Sequence, residues 1–238
     1  MISFIVPAFN EELCLAATLK ALHVAGRASN QAYEIVVADD ASTDKTAEIA
    51  LQNKAVLVSV AHRQIATTRN AGAKVASGDW FIFVDADTLV NESVVLAAVQ
   101  AMQNGAVGGG SGMRFDEPTP LYARIFLSLV VRLFRATGLA AGCFLFCTRS
   151  AFDAIGGFDN AYYGAEEIVM SRALKQQGNF LILKQTVTTS ARKLRTYSLK
   201  EILLLTYGIA RRGTKAVKQR KGMEFWYAER RKDPRDRP

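Results

Sequence analysis

Cysteine is scarce in this 238-residue chain, and the three that occur cannot form a complete set of disulfides. They are Cys14, Cys143 and Cys147. Cys143 and Cys147 lie in an apolar stretch with no other cysteine or histidine nearby, which favours core packing over a zinc site. We therefore expect a protein of a reducing compartment, without structural disulfides.

Long apolar runs are also missing, and no export leader is expected. The apolar stretch 121–135 is interrupted or bounded by Arg124, Arg132 and Arg135, and it is shorter than the ~20 residues that a transmembrane helix needs. It is either an amphipathic helix packed on the domain, a membrane-surface helix, or a lid over the site. Met1 leads directly into a strand pattern with no basic leader, so we expect a cytoplasmic protein.

No internal repeat or low-complexity linker divides the chain, and 50% of it is hydrophobic, enough for one large core. Strand patterns alternate with helix patterns, which predicts an α/β fold with a mostly parallel central sheet flanked by helices. The predicted strands are 2–6, 33–38, 55–60 and 79–84, and the predicted helices are 11–25, 44–52, 64–76 and 92–103. The pattern changes after Gly105, where the glycine-rich stretch 108–112 is flexible or allows close backbone approach, and 120–136 is a further candidate helix.

Positive charge is concentrated near the C-terminus. Residues 192–238 hold 15 of the 30 basic and 5 of the 22 acidic residues, a net charge of +10, whereas residues 1–191 carry −2. A candidate helix at 199–210 precedes a basic run and the aromatic cluster Phe225-Trp226-Tyr227. The pattern suits an anionic membrane surface contacted through 211–238, or a helix packed on the core with a solvated tail. No recognised nucleic-acid-binding motif occurs, so nucleic acid is not an expected partner.

Acidic pairs follow two of the predicted strands. Asp85-Ala86-Asp87 follows the apolar strand 80–84, and alternate side chains of an extended segment point the same way, so both carboxylates can face one divalent cation. Asp39-Asp40 follows the strand 33–38, and Thr43 is placed to cap a helix from Asp44. Asn10 is placed to cap the helix after the first strand. Because ligands bind at the carboxyl ends of parallel strands, the acids indicate one shared cleft.

Six motifs resemble those of the family 2 inverting glycosyltransferases, which have the nucleotide-sugar-binding GT-A fold. They are the segments 6–12, 37–44, 69–72, 83–87, 156–159 and 166–167, in the family's order and approximate spacing. The resemblance covers residues 1–195, with a nucleotide-binding half at 1–104 and an acceptor-binding half at 105–195. Residues 196–238 would form a basic helical segment and tail.

The resemblance implies a nucleotide-sugar donor, a uridine diphosphate sugar, and a Mn²⁺ or Mg²⁺ ion that offsets charge on the leaving diphosphate. Asp87 would bind the metal, and Asp85 would bind the metal or the donor. Asp40 would accept a hydrogen bond from the uracil N3–H, and Asp39 would be structural. The donor-binding residues implied in this way are Pro7, Phe9, Glu11, Asp40, Arg69, Asp85 and Ala86. Arg69 and Asn70 could instead be surface or ion-pair residues.

Glu167 matches the position of the family's catalytic base, which would take the proton of the acceptor hydroxyl. The chain has Glu-Glu where Glu-Asp is usual, so this base is one methylene longer. Adjacent helical residues point about 100° apart, so Glu166 and Glu167 should not share one task. The alternative is that both are acids favoured at a helix start. Gly156 and Gly157 are expected to form a turn before this helix.

Two family features are missing. No histidine follows Asp87, so the late histidine ligand of some relatives is lacking and the diphosphate and water would complete the metal's coordination. The Gln-x-x-Arg-Trp motif of processive synthases is absent too, so we expect one sugar per encounter, moved to a carbohydrate or lipid-linked acceptor at the inner face of the plasma membrane. The alternatives are a non-catalytic nucleotide-sugar-binding protein and, less favoured, a nucleotidyltransferase, whose Gly-rich, Arg-containing loop does not follow the first strand.

Overall fold

A computed structural model describes residues 1–116, 132, 136–140, 142–198, 200–201, 204, 207, 211, 214–223 and 227. Within these residues, eight strands form one sheet in the order β3-β2-β1-β4-β7-β6-β8-β5. No helix in the described part of the chain has the length and apolar character needed to cross a membrane.

The first half of the chain forms a parallel sheet. Its strands are β1 (Ile2–Ala8), β2 (Tyr33–Asp40), β3 (Val56–Val60) and β4 (Trp80–Val84), joined by α1 (Leu15–Ala28), α2 (Thr46–Gln52) and α3 (Ile65–Val75). Strand β1 lies between β2 and β4, and β3 extends the sheet beyond β2. The four predicted strands and the helices between them are confirmed, although α1 begins four residues later than predicted.

The second half adds strands of both directions. Its elements are β5 (Thr88–Leu89), α4 (Glu92–Gln103), β6 (Gly108–Phe115), β7 (Phe144–Thr148), α5 (Arg149–Ala154), α6 (Glu166–Gln177), β8 (Phe180–Thr189), α7 (Arg192–Thr196) and α8 (Thr214–Val217). Strand β7 runs antiparallel between β4 and β6, whereas β6 and β8 are parallel. Four of the seven pairings among the described strands are parallel, so the sheet is mostly parallel, as predicted.

Helices cover both faces of this sheet. On one face the apolar residues of α1 and α4 pack against β1 and β4 in one core cluster. On the other face α3, α5 and α6 pack against the opposite side chains of the same strands, among them Phe81 and Phe83. Burial of both faces explains the continuous apolar runs in the central strands. The core therefore fixes the carboxyl ends of β1, β2 and β4 side by side.

The glycine-rich stretch forms the start of β6, where the lack of side chains lets neighbouring residues approach the backbone closely. A Cβ atom on Gly110 would lie 2.6 Å from the Cβ of Ala140, so a side chain does not fit there. The candidate helix at 120–136 falls largely outside the described residues, as does most of the candidate helix at 199–210.

Two predicted helix caps are wrong. Asn10 adopts a left-handed backbone with φ of 51°, and its Oδ1 accepts a hydrogen bond from Thr43 N at 2.8 Å instead of capping α1. Helix α2 begins at Thr46, and Asp44 Oδ1 accepts from Thr46 N at 2.9 Å, so Asp44 and not Thr43 supplies the capping oxygen. The contact between Asn10 and Thr43 ties the loops after β1 and β2 together.

Candidate functional site

An open pocket lies at the carboxyl ends of β1, β2 and β4. Its cavity volume is about 100 Å³. Its walls come from Pro7, Ala8, Phe9, Glu11, Asp40, Arg63, Gln64, Ile65, Thr68, Asp85, Ala86, Asp87 and Tyr227. Both acidic pairs predicted at strand ends thus contribute to one cleft, and six of the seven predicted donor-binding residues line it. Arg69 is the exception.

Asp85 and Asp87 occupy a turn and not an extended segment. Thr88 N donates to Asp85 O at 3.0 Å, which closes the turn directly after β4. Thr18 Oγ1 also donates to Ala86 O at 2.8 Å, so the turn is anchored on α1. The predicted extended geometry is wrong because the strand ends at Val84, yet both carboxylates still face the same pocket.

Arg69 lies beneath the turn in a buried ion-pair cluster. Its side chain is 2% exposed, and it donates to Asp85 Oδ1 at 2.8 Å, to Glu166 Oε1 at 2.7 Å and to Gly142 O at 3.1 Å. Burial disfavours the charged guanidinium, but the carboxylates of Asp85 and Glu166 raise the pKa of Arg69 above its ordinary value. Direct donor binding by Arg69 stays a prediction; in this structure the arginine joins the turn after β4 to the start of α6.

Arg192 forms a second cluster on the other side of the turn. Its guanidinium donates to both oxygens of Glu11, at 3.1 and 2.9 Å, and lies 4.0 Å from Asp87 Oδ2. Each carboxylate of the acidic turn thus has an arginine beside it, and each arginine also binds a glutamate from a distant motif. No local pattern predicts that Arg192 belongs to the site, because this residue lies 105 positions after Asp87.

Glu166 and Glu167 begin α6 and have different surroundings. Glu166 is buried in the ion pair with Arg69, whereas Glu167 is partly exposed. A Cβ atom on Gly142 would lie 3.1 Å from Glu167 Oε1, so the carboxyl group lies against this glycine. Burial, and then the negative charge of Glu166, raise the pKa of Glu167 to about 8. The two carboxyl groups therefore differ in exposure and in ion pairing, and the separate roles predicted for them stay a prediction.

Asp40 is held by the start of α3. Its Oδ1 accepts from the backbone N–H groups of His62 and Arg63 at 2.7 and 2.8 Å, and its Oδ2 accepts from Gln64 N at 3.1 Å. The hydroxyl of Thr68 is also 2.8 Å from Oδ2. A carboxylate has about four acceptor positions, so Asp40 is fully engaged. Asp39 makes one longer contact, from Ser42 N at 3.3 Å, in keeping with a structural role.

Phe9 and Arg63 meet at the mouth of the pocket. The guanidinium carbon of Arg63 lies 3.4 Å from the centre of the Phe9 ring, a cation–π contact. The backbone of Arg63 has a positive φ of 51°. This conformation lets the N–H groups on either side of it, those of His62 and Gln64, both donate to Asp40. Arg63 was not among the predicted site residues.

Asn70 binds the loop before α6. Its Oδ1 accepts from Phe158 N at 2.9 Å and its Nδ2 donates to Phe158 O at 2.8 Å. Gly156 and Gly157 have φ of 74° and 77°, which supports their predicted role in a turn. Asn70 therefore positions the approach to α6 in this structure and does not line the pocket.

The basic C-terminal segment reaches the site as well. Tyr163 N donates to Val217 O at 2.7 Å, and Val217 and Met223 are buried against the loop before α6. Tyr227 lines the pocket, and its hydroxyl is 3.4 Å from Ile65 N. The described part of the predicted tail thus packs on the domain. Nothing in the sequence connects Tyr227 to Ile65, 162 residues earlier.

The acidic turn suits a hard divalent cation. Asp85 and Asp87 present carboxylate oxygens to one pocket, and such oxygens are the preferred ligands of Mg²⁺ and Mn²⁺. Across the described residues, no group of three or more His, Cys, Asp or Glu side chains is arranged to hold a metal alone. A cation here would need further oxygen ligands from the donor and from water, as the sequence predicted.

Comparison with protein families and with characterised sequences identifies relatives. The model of the family "Glycosyl transferase family 2" matches residues 3–156. An undecaprenyl-phosphate 4-deoxy-4-formamido-L-arabinose transferase of Pseudomonas paraeruginosa is 30% identical over 158 residues, 61% of this chain and 46% of the relative. The glycosyltransferase GlyG of Streptococcus pneumoniae is 31% identical over 125 residues, 49% of this chain and 40% of the relative. The chain thus spans under half the length of these relatives.

Solved structures share the fold. The mannosyltransferase PcManGT from Pyrobaculum calidifontis, in complex with GDP-Man and Mn²⁺, has a TM-score of 0.69 at 19% identity. The matched region covers 94% of this chain and 64% of the PcManGT chain. Staphylococcus aureus TarS 1–349 in complex with UDP-GlcNAc has a TM-score of 0.60 at 17% identity, and the matched region covers 94% of this chain and 70% of the TarS chain. Identities this low establish the fold alone, which is the predicted GT-A fold.

Proposed function

Because this chain belongs to glycosyl transferase family 2, we propose that it is an inverting glycosyltransferase that moves one sugar from a nucleotide sugar to an acceptor hydroxyl. The observation that carries the proposal is a pocket at the carboxyl ends of three parallel strands that Asp40, Asp85 and Asp87 all line. Glu167, with a pKa raised to about 8, begins a helix that Arg69 joins to this pocket.

We place the nucleobase at the base end of the pocket, formed by Asp40, Arg63, Ile65, Thr68 and Tyr227. Uracil N3–H needs an acceptor, and Asp40 can provide one if Thr68 releases it. The Thr68 hydroxyl lies 2.8 Å from Asp40 Oδ2 and also 2.8 Å from Gln64 O. Its single proton can turn to the carbonyl, which frees a lone pair on Asp40 for the base.

The diphosphate belongs at the phosphate end, formed by Glu11, Asp85, Ala86 and Asp87. Asp87 and Asp85 would hold Mn²⁺ or Mg²⁺, which when bound offsets the negative charge on the leaving diphosphate. Arg69 and Arg192 hold these carboxylates in place, and they keep the acidic turn from repelling the donor before the metal is present.

Glu167 is the proposed general base. A base works best when its pKa is close to the working pH, and burial beside Glu166 raises the pKa of Glu167 to about 8. Glu166 is not assigned this task, because its carboxylate is already paired with the buried Arg69 at 2.7 Å. In this proposal Glu166 positions the start of α6, and Glu167 takes the proton of the acceptor hydroxyl.

A lipid-linked acceptor at an anionic membrane surface fits the exposed part of the C-terminal segment. Leu204 and Tyr207 are 61% and 64% exposed, and Lys218, Arg220 and Lys221 are exposed nearby in sequence. The Pseudomonas relative is named for an undecaprenyl-phosphate acceptor. Polybasic attraction amounts to about 1 kcal/mol per charge near such a surface.

Charge reversal tests this contact better than truncation, because deleting 211–238 would also remove Val217 and Met223 from the core. The variant Lys218→Glu with Lys221→Glu should lose most of its sedimentation with anionic vesicles at low salt. Lys20→Glu with Lys54→Glu, at two exposed sites of α1 and the α2–β3 loop, is the matched control. Equal sedimentation of the two variants would reject the membrane contact.

A nucleotide-sugar-binding protein without transferase activity is the second candidate. It shares the pocket and differs only in giving Glu167 no chemical role. Thermal shift with uridine, guanosine and thymidine diphosphates, with and without Mn²⁺, tests both candidates at once, since a ligand that binds the folded state raises its melting temperature. Asp87→Asn should remove the Mn²⁺-dependent part of the shift. No shift with any nucleotide would contradict both functions.

A further inference from the structure

The C-terminal segment contacts the two functional parts of the site at once. Residues 214–223 pack on the loop before α6, where Tyr163 N donates to Val217 O at 2.7 Å. A Cβ atom on Gly164 would lie 3.3 Å from Met223 Sδ, so the segment packs directly on this glycine. The next residue, Ala165, has a φ of 59° and starts the helix of Glu166 and Glu167.

Tyr227 extends this packing to the pocket wall. Its ring makes an edge contact with the Tyr163 ring, with the centroids 5.8 Å apart, and its backbone N–H donates to Met223 O. Its hydroxyl accepts from Ile65 N at 3.4 Å. The preceding three N–H groups, of residues 62–64, bind Asp40, so Asp40 and Tyr227 together bind four successive amides at the start of α3.

We infer that Tyr227 is a donor-binding residue that contacts the nucleoside part of the nucleotide sugar, so that the C-terminal segment completes the donor site. The inference rests on the proposed function, which supplies the nucleotide. The half-buried Tyr227 ring has Arg220 over it, 5.7 Å from the ring centre, and lines the same pocket as Asp40, where an aromatic ring can pack on a planar base. The hydroxyl is tied to Ile65, so the ring is oriented before the donor arrives.

The location also separates Tyr227 from the diphosphate. It lines the pocket beside Ile65 on the α3 side, whereas Asp85 and Asp87 follow β4. A contact with the base therefore predicts an effect on nucleoside diphosphates and none on the diphosphate group alone.

Calorimetry of the full chain with Mn²⁺ tests the inference, using uridine diphosphate and inorganic pyrophosphate as probes. Tyr227→Ala should weaken uridine diphosphate binding about tenfold, the size of a lost aromatic contact, and leave pyrophosphate binding unchanged. Tyr227→Phe should retain the affinity for uridine diphosphate within about threefold, because the long hydrogen bond from Ile65 N to the hydroxyl contributes little to binding. Leu51→Ala, at a 59% exposed leucine of α2, is the control and should bind like the parent.

Three outcomes would overturn the inference. Unchanged uridine diphosphate affinity in Tyr227→Ala means that the ring does not contact the donor. Equal weakening of both probes means that Tyr227 acts only through the packing of α6. If Tyr227→Ala does not fold, Tyr227→Leu, which keeps the apolar bulk, replaces it; parental affinity in that variant also rejects a specific ring contact. Failure of the parent protein to bind any nucleotide contradicts the proposed function itself.

Discussion

The two ends of the pocket satisfy their carboxylates in different ways. At the base end, Asp40 is bound by backbone amides no more than 24 residues away, at the start of the next helix. At the phosphate end, Arg69 binds both Asp85 and Glu166, the latter 97 residues later in the chain, and Arg192 binds Glu11 across 181 residues. The carboxylate of the base end is thus held by local contacts, whereas those of the phosphate end are paired only once distant parts of the domain have folded.

The largest effect is expected at the phosphate end, from Arg69→Met. The change leaves Glu166 and Asp85 without their shared buried cation, and an uncompensated buried charge costs about 3–5 kcal/mol. Urea unfolding should show a loss of this size, together with loss of transfer. Arg114→Met, at an exposed arginine of β6, should change the free energy of unfolding by less than about 0.5 kcal/mol. A loss below 1 kcal/mol in Arg69→Met would show that the cluster does not hold the site together.

Glu167→Gln should come next, because it removes the proposed base and keeps the shape. Transfer should fall about 10²–10⁴-fold while donor affinity stays the same. In the parent protein, transfer should rise with pH up to about 8, as Glu167 loses its proton. Glu166→Gln should chiefly lower stability. Parental turnover by Glu167→Gln, with the true acceptor, would place the base elsewhere.

The same substitution changes how stability depends on pH. The raised pKa of Glu167 means that the fold favours the neutral carboxyl group, so ionisation lowers the stability of the parent as pH rises from about 4.5, its unfolded value, to about 8. Glu167→Gln lacks this loss. Its melting temperature should match that of the parent at pH 3.5, below both pKa values, and exceed it at pH 9, and the reverse order would contradict the raised pKa.

The smallest effect is expected at the base end, from Asp40→Asn. The amide group cannot accept all three backbone N–H groups, and its own N–H₂ faces donors, so stability should fall by about 1–3 kcal/mol even without nucleotide. Asp39→Asn is a matched control, because Asp39 has one long contact. If both variants unfold alike, the amides at the start of α3 do not depend on Asp40. Uridine diphosphate affinity is then compared only among folded variants.

The sequence was informative wherever the signal is local. The strands and helices of the first half follow from apolar runs and helical periodicity, and the acids at strand ends point to one pocket because parallel strands align their carboxyl ends. The antiparallel direction of β7 was not predictable, because an apolar run of five residues is equally compatible with a parallel and with an antiparallel strand. The caps assigned to Asn10 and Thr43 failed because contacts between two loops outweighed the local preference.

Partners distant in sequence could not be predicted. Arg69 was identified from a motif, but its burial between Asp85 and Glu166 depends on how three elements pack. Arg192 and Tyr227 lie in a segment whose composition indicated only basic charge and aromatic rings. Their positions beside Glu11 and Ile65 are set by the tertiary fold and leave no trace in local spacing.

The place of β7 in the sheet has a consequence for synthesis on the ribosome. Strands β1 to β4 are complete once residue 84 has been made, but β4 has its second neighbour only when residues 144–148 arrive. Until then Trp80–Val84 is an open edge of five consecutive apolar residues, a template for pairing with other chains. During synthesis this edge stays exposed while about 60 further residues are added, which takes several seconds at ordinary translation rates. Chaperone dependence and aggregation of fragments should therefore concentrate in that interval.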